Sequence, residues 1–367
     1  MSAYLVVFLA AAVTTFLVTP LVRRAAIKFG AIDLPSDRKV HPKATPTMGG
    51  FAMYAGLLVA LAASRFLPYF SEMNRGSVEP LAVVVTCTLM LGLGAIDDKR
   101  GTSALAKLTA QIFIAGVLVT LGVELTYLWL PGSGFLVMSG GLPVPLTILW
   151  VVVVANAVNL VDGLDGLAAG MVAIAGTAFF IYMFRAPNPF GHASSAALLS
   201  AITVGICVGF LPWNFYPAKI FMGDSGSMLL GMLVSIATLS GVGRNTYPPS
   251  GGDLAVIAIP ILVPLLVLAV PLLDVTLAVT RRVRRGQGIG HADKEHLHHR
   301  LLLIGHSHRQ AVLLMYLWSA LISAGALAVG LIDGRLEVGV ILLGAAALFL
   351  VTALPRLVGP RKALSGR

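Results

Sequence analysis

The sequence predicts an all-α integral membrane protein with about eleven transmembrane helices. Three observations carry that expectation. The 367 residues are 57% hydrophobic and 11% charged, where a soluble domain carries about 25% charged residues. Apolar runs of about 20 residues, the length that crosses hydrocarbon, follow one another along the chain. The basic residues are also shared unevenly between the connections, as the positive-inside rule requires of cytoplasmic segments.

The first run, Tyr4 to Val22, has no basic residue before it and Arg23-Arg24 directly after it. That pattern fits a retained first span with an external N-terminus rather than a cleaved signal. The candidate spans are 3–22, 48–67, 80–96, 107–123, 144–160, 167–184, 195–211, 226–242, 255–280, 311–332 and 336–354. The seventh and eighth flank a polar loop, and an Asp333-Gly334-Arg335 turn joins the last two. Stretch 124–143, with Tyr127, Trp129 and several glycines, reads as an external interfacial loop or small hairpin whose aromatics anchor at the membrane surface. In this topology 21 of the 26 Lys and Arg residues fall inside and five fall outside. An odd number of spans then leaves the C-terminus in the cytoplasm, and eleven satisfies this. No internal repeat is evident, so residues 1–367 are read as a single polytopic domain.

The net charge of +10 could suggest nucleic acid, but the basic residues cluster in particular loops between spans, so no nucleic-acid partner is expected. Cys87 and Cys207 fall inside hydrophobic runs without metal-ligand or redox spacing, and are read as small core residues.

Against this apolar background stand five aspartates in three short motifs. Asp97-Asp98 follow the third span, Asp162 and Asp165 separate the fifth from the sixth, and Asp224 precedes the eighth. The topology places all of them on the cytoplasmic face. Acids at the edge of hydrocarbon need a cation to hold them. Adjacent carboxylates such as Asp97 and Asp98 repel, and Mg²⁺ relieves this while also taking substrate phosphate oxygens. Lys107 and Gln111 follow at the start of the fourth span. In the run from Asn156 to Gly166, if it is helical, Asn159, Asp162 and Asp165 recur every three residues and share roughly one face. Helix capping explains one such residue and leaves the others.

The run from Trp213 to Ser227 carries Asn214 and Lys219 and ends in Gly-Asp-Ser-Gly-Ser, which opens a helix with free N–H groups beside a carboxylate. That combination suits a metal-bridged phosphate. The first cytoplasmic loop, with Arg38, Lys39, His41 and Lys43 before Thr45-Pro46-Thr47-Met48-Gly49-Gly50, is suited to phosphate or a lipid headgroup, or serves as a basic anchor. The last basic loop holds four histidines between His291 and His299, followed by Arg300. Its spacing matches no structural zinc site, and a diphosphate is the better occupant. Asp274, inside the ninth span, is an additional buried acid without an evident partner.

Together these motifs resemble those of the polyprenyl-phosphate N-acetylhexosamine-1-phosphate transferases. The resemblance runs from about residue 20 to 355 and rests on Thr45 to Gly50, Asp97-Asp98, Asn159 to Gly166, Phe221 to Ser227 and His296 to Leu302, in the family's order. It implies a bacterial plasma-membrane enzyme of cell-envelope polysaccharide synthesis. The implied reaction moves GlcNAc-1-phosphate from UDP-GlcNAc to a polyprenyl phosphate, releases UMP and depends on Mg²⁺, with Mn²⁺ able to substitute. The His296-Leu297-His298-His299-Arg300 run and the eleventh span resemble the GlcNAc branch. The phospho-MurNAc-pentapeptide translocases, which typically show three consecutive histidines, are the alternative. A homodimer is left open.

The resemblance assigns Asp224 to the metal, with Asp98 as a direct or water-mediated partner, and Asp97 to deprotonating or positioning the lipid phosphate. Asn159, Asp162 and Asp165 would hold the uridine and sugar side. Lys43, Lys107 and Asn214 would contact phosphate or nucleotide, and His296, His298, His299 and Arg300 the diphosphate. A cation-coupled transporter is the rival of another class. It requires acids through the membrane depth, whereas these gather at one interface with Asp274 as the exception.

Overall fold

The computed structural model describes residues 1–35, 44–75, 77–130, 134–138, 140–185, 193–242 and 306–331, with 344 and 352. The helices are α1 (Ser2–Lys28), α2 (Gly50–Arg65), α3 (Ser71–Asn74), α4 (Glu79–Arg100), α5 (Ala104–Thr120), α6 (Pro143–Val161), α7 (Leu167–Arg185), α8 (Ser195–Asn214), α9 (Gly223–Val242) and α10 (His308–Leu331). Two small antiparallel pairs interrupt them. β1 (Ile32–Asp33) pairs with β2 (Thr45–Pro46), and β3 (Tyr127–Leu130) forms a hairpin with β4 (Gly134–Val137). The expected hairpin in 124–143 is therefore present, while the short β1–β2 pair is an addition to an otherwise helical chain.

Helices α1, α4, α6, α7 and α8 are each long and apolar enough to cross a membrane, and the protein is a multi-pass membrane protein. Helices α2, α5, α9 and α10 coincide with four further expected spans. Span 255–280 lies outside the described residues, as does span 336–354 apart from residues 344 and 352. Two boundaries matter for chemistry. Helix α4 runs on through Asp97, Asp98, Lys99 and Arg100, and α9 begins at Gly223, so Asp97, Asp98 and Asp224 sit on terminal helical turns rather than in loops.

Helices α8 and α9 form the centre. Of the apolar window of α8, 72% is buried, against 22% for α1. Helix α1 therefore lies at the rim, with Leu5, Leu9, Val13, Leu17 and Leu21 exposed as a lipid-facing stripe. Helix α9 packs against α2, α4, α6 and α8, and Leu229, Leu230, Met232, Leu233 and Ile236 along it are fully buried. Lipid gives helices no hydrophobic drive to associate, so close backbone approach matters. Gly205 and Gly209 of α8 lie directly against the backbone of Phe8 and Ala12 of α1, where a side chain has no room.

The two ends of the bundle are fastened differently. At one end Tyr4 meets Tyr69, Phe70, Phe180 and Phe184 edge to face at 5.2–5.9 Å. At the same end Ser240 of α9 hydrogen-bonds the buried Glu79 of α4. The other end is polar and gathers the motif residues.

Candidate active site

Four helix termini and two loops meet there. Loop 44–49 and loop 215–222 are stitched together by backbone bonds. Phe221 N–H donates to Pro46 O (2.8 Å), Gly49 N–H to Phe221 O (2.9 Å), and Gly50 N–H to Met222 O (3.1 Å). From outside, the Arg23 guanidinium donates to Lys219 O at 3.0 Å, and the Trp213 indole to Phe16 O at 3.1 Å. Loop 215–222 thus delivers the start of α9 in a fixed place.

At the centre the ammonium of Lys107, on the first turn of α5, ion-pairs with both Asp97 and Asp224. Asn159, near the end of α6, donates from Nδ2 to Asp224 Oδ1 and to Ser227 Oγ, each at 2.8 Å. Asp97 Oδ1 accepts the Thr102 N–H and hydroxyl, both at 2.6 Å. Asp98 turns the other way. Its Oδ1 accepts the Asp224 N–H at 2.8 Å and its Oδ2 the Ser225 N–H at 3.2 Å. Carboxylates at the C-terminal end of α4 oppose that helix's dipole. Lys107, Thr102 and the amino end of α9 provide the compensation.

Asp162 and Asp165 do not share a helical face with Asn159, contrary to the sequence expectation. Helix α6 ends at Val161, Asp162 is its cap, and a turn follows through Gly163 to Gly166, which has φ +79°. The helix ends at its Asp162 cap, and the positive φ of Gly166 closes the turn just before α7, so the three-residue spacing does not lie on one helix. Asp162 stays near the centre. Burial, then the charges of Asp224, Asp98 and Asp165, push its carboxyl well above the usual carboxylate range. Asp165 Oδ2 accepts the Ala218 N–H at 2.9 Å. Asn214 is 2% exposed, and both ends of its amide bond protein: Oδ1 accepts the Gly166 N–H and Nδ2 donates to Ile220 O, each at 3.1 Å. In the described structure Asp165 and Asn214 tie the 162–166 turn to loop 215–222.

The structure therefore brings together Asp97, Asp98, Lys107, Asn159 and Asp224, with Asp162 beside them and Asp165 and Asn214 bracing from behind. Lys43, His296, His298, His299, Arg300 and Asp274 lie outside the described residues. Some participants were missed. Thr102 follows Gly101, whose φ of +65° ends α4, and that glycine was its available signal. Ser227 stands one turn beyond Asp224, where its hydroxyl accepts from Asn159. Tyr216 carries His308 stacked at 4.3 Å and the Arg309 guanidinium 5.8 Å from its ring centre. No local pattern links residues so far apart in the chain.

Among the described residues, no three carboxylate, imidazole or thiol groups converge as a closed metal cage. Asp97 and Asp224 do share one cationic partner, Lys107. That donor set suits Mg²⁺, which is held by one or two carboxylates and keeps positions for water and substrate phosphate oxygens.

Known proteins resemble this chain along much of its length. Glycosyl transferase family 4 matches residues 80–242. The decaprenyl-phosphate N-acetylglucosaminephosphotransferase of Mycolicibacterium smegmatis is 44% identical over 328 residues, covering 87% of this chain and 80% of that protein. The undecaprenyl-phosphate alpha-N-acetylglucosaminyl 1-phosphate transferase of Escherichia coli K12 is 30% identical, covering 83% and 78%. A phospho-N-acetylmuramoyl-pentapeptide-transferase of Desulforudis audaxviator is 37% identical but covers 64% of this chain and 74% of its own length.

Proposed function

The chain belongs to glycosyl transferase family 4, and from that premise we propose that it transfers GlcNAc-1-phosphate from UDP-GlcNAc to a polyprenyl phosphate. A phosphate oxygen of the lipid attacks the sugar-bearing phosphorus of the nucleotide sugar. The bond to the uridine-bearing phosphate breaks, so one phosphoanhydride replaces another and UMP leaves. The observation that carries the proposal is the meeting of Asp97, Asp224 and Lys107 at one end of a membrane bundle.

Repulsion between the two substrates is the kinetic obstacle, about 4 kcal/mol per pair of unit charges at 4 Å and an effective dielectric of 20. Bound Mg²⁺ would supply positive charge at the two phosphates and polarise the attacked phosphorus. Asp224 would hold the ion, with Asp98 close behind it. Asn159 fixes the Asp224 carboxylate by its hydrogen bond. Asp97 orients or deprotonates the lipid phosphate, and Lys107 neutralises the phosphate it meets. Asp162 and Asp165 define the nucleotide side, supported by Asn214. Lys43, His296, His298, His299 and Arg300 belong to the same proposal as phosphate and diphosphate ligands. So do eleven spans, an external N-terminus, a cytoplasmic C-terminus and a site facing the cytoplasm of a bacterial cell. Cell-envelope polysaccharide synthesis is the process this reaction would begin.

The test supplies membranes with polyprenyl phosphate, Mg²⁺ and labelled UDP-GlcNAc, and follows lipid-extractable label together with UMP. Both are expected to appear in equal amounts and to require the lipid phosphate. Transfer from UDP-MurNAc-pentapeptide and none from UDP-GlcNAc would reassign the chain to the translocase branch. Cation uptake without UMP release would overturn the proposal.

A further inference from the structure

We propose that Asp98 acts on the reaction through Asp224, as a cap delivered to α9 from α4, and is a positioning residue rather than a metal ligand. The inference rests on the transferase reading above and deepens it.

The first turn of any helix presents N–H groups with no intrahelical acceptor. A side chain just upstream in the same segment usually accepts one of them. Here the residue before α9 is Met222, which brings no oxygen in its side chain. Asp98 fills that role from another helix. Its two oxygens take the consecutive N–H groups of Asp224 and Ser225 at 2.8 and 3.2 Å. The carboxylate thereby sits at the positive end of α9, where charge and hydrogen bonding both favour it.

Two glycines make this reach possible. Gly94 lies one turn before Asp98 on α4, on the same face, and rests against the backbone of Asp224 and Ser225 with no space for a side chain. Gly223 has φ +70°, and a Cβ there would run into the Asp98 carboxylate and the Thr47 hydroxyl. Gly94, Asp98 and Gly223 thus form one device that brings α4 onto the backbone of α9. The adjacent aspartates divide the work. Asp97 faces Lys107 and Thr102, whereas Asp98 faces backbone and fixes the peptide from which the Asp224 side chain springs.

Three variants test the assignment: Asp98→Asn, which keeps one acceptor oxygen; Asp98→Ala, which keeps none; and Gly223→Ala, which blocks the approach without removing any carboxylate from the chain. Each is measured for Mn²⁺ binding by EPR without substrates, and for kcat and KM with UDP-GlcNAc. A cap displaced by about 1 Å lowers turnover by about 100-fold, so Asp98→Ala and Gly223→Ala are expected to share a kcat loss of that size. Asp98→Asn is expected to lose less, with KM and Mn²⁺ affinity within about threefold of wild type, an energy change under about 1 kcal/mol. A tenfold or larger weakening of Mn²⁺ binding in Asp98→Asn, with Gly223→Ala fully active, overturns the inference and makes Asp98 a ligand. Wild-type protein that makes no lipid-linked GlcNAc-1-phosphate would instead defeat the underlying reading. The Mn²⁺ titrations still decide the Asp98 assignment in that event.

Discussion

Helices α4 and α9 touch along their length and join acids to partners at both ends, but the two ends are built on different principles. At the start of α4 the buried Glu79 accepts a hydrogen bond from the Ser240 hydroxyl, at the end of the bundle where Tyr4 and Phe70 pack. At the other end Lys107 ion-pairs with Asp97 and Asp224, Asn159 bonds Asp224, and Asp98 accepts the opening N–H groups of α9. The Glu79–Ser240 hydrogen bond fastens two helices. Two aspartates on one lysine ammonium, with Asp98 close by, concentrate negative charge among the described residues, and such a centre is suited to a divalent ion and phosphates. Burial of an acid in a membrane bundle is therefore a weak sign of function by itself; among the described residues, the sharing of Lys107 by two aspartates marks the polar end.

The largest effect expected from this contrast is at Asp224. Asp224→Asn should lower GlcNAc-1-phosphate transfer by about 10³-fold or more, the scale of losing a centre that stabilises charge in the transition state, with membrane insertion unchanged in a protease-accessibility assay. Retained turnover across a Mg²⁺ titration would remove Asp224 from the metal role. Next is Lys107→Met, which leaves Asp97 and Asp224 facing one another. Turnover should drop by about 10²-fold, a loss of nearly 3 kcal/mol of transition-state stabilisation, and thermal stability in detergent should fall as well. Activity lost without any stability change would mean that Lys107 serves substrate alone.

At the fastening end, Glu79→Gln keeps a side chain that hydrogen-bonds Ser240 and should leave kcat within about twofold, as substitutions remote from reacting groups do. A large kcat loss there would erase the distinction between the two ends. The smallest effect concerns Asp162. Its raised carboxyl keeps a proton in the folded state over a pH range where the unfolded chain has lost it. Stability conferred by that proton is present at low pH and declines as pH rises from the ordinary carboxylate range through the raised one. Asp162→Asn removes this dependence, so melting curves should show its stability relative to wild type improving from pH 5 to pH 8. A difference flat in pH would contradict the assigned environment.

Much of this was legible in the chain because hydropathy and charge are local properties. The apolar windows located α1, α2 and α4 to α10 with ends within six residues, and the three aspartate motifs did come to one end. Hydropathy could not place helix ends. Asp97 to Arg100 are hydrophilic, yet α4 continues until Gly101 takes a positive φ. The spacing of Asn159, Asp162 and Asp165 suggested one helix face, but the turn at Gly163 to Gly166 sends Asp165 to the Ala218 backbone instead. Pairings such as Lys107 with Asp224 and Tyr216 with His308 depend on which helices become neighbours, and no short window of sequence encodes that.

The most direct test of the central claim is a Mn²⁺ titration of the purified, full-length protein followed by EPR, comparing wild type with Asp224→Asn and Glu79→Gln. A shared cation centre at the Asp97–Asp224 end predicts one bound ion in wild type and in Glu79→Gln, and binding weakened by about tenfold or more, roughly 1.4 kcal/mol, in Asp224→Asn. Equal binding by wild type and Asp224→Asn would contradict it.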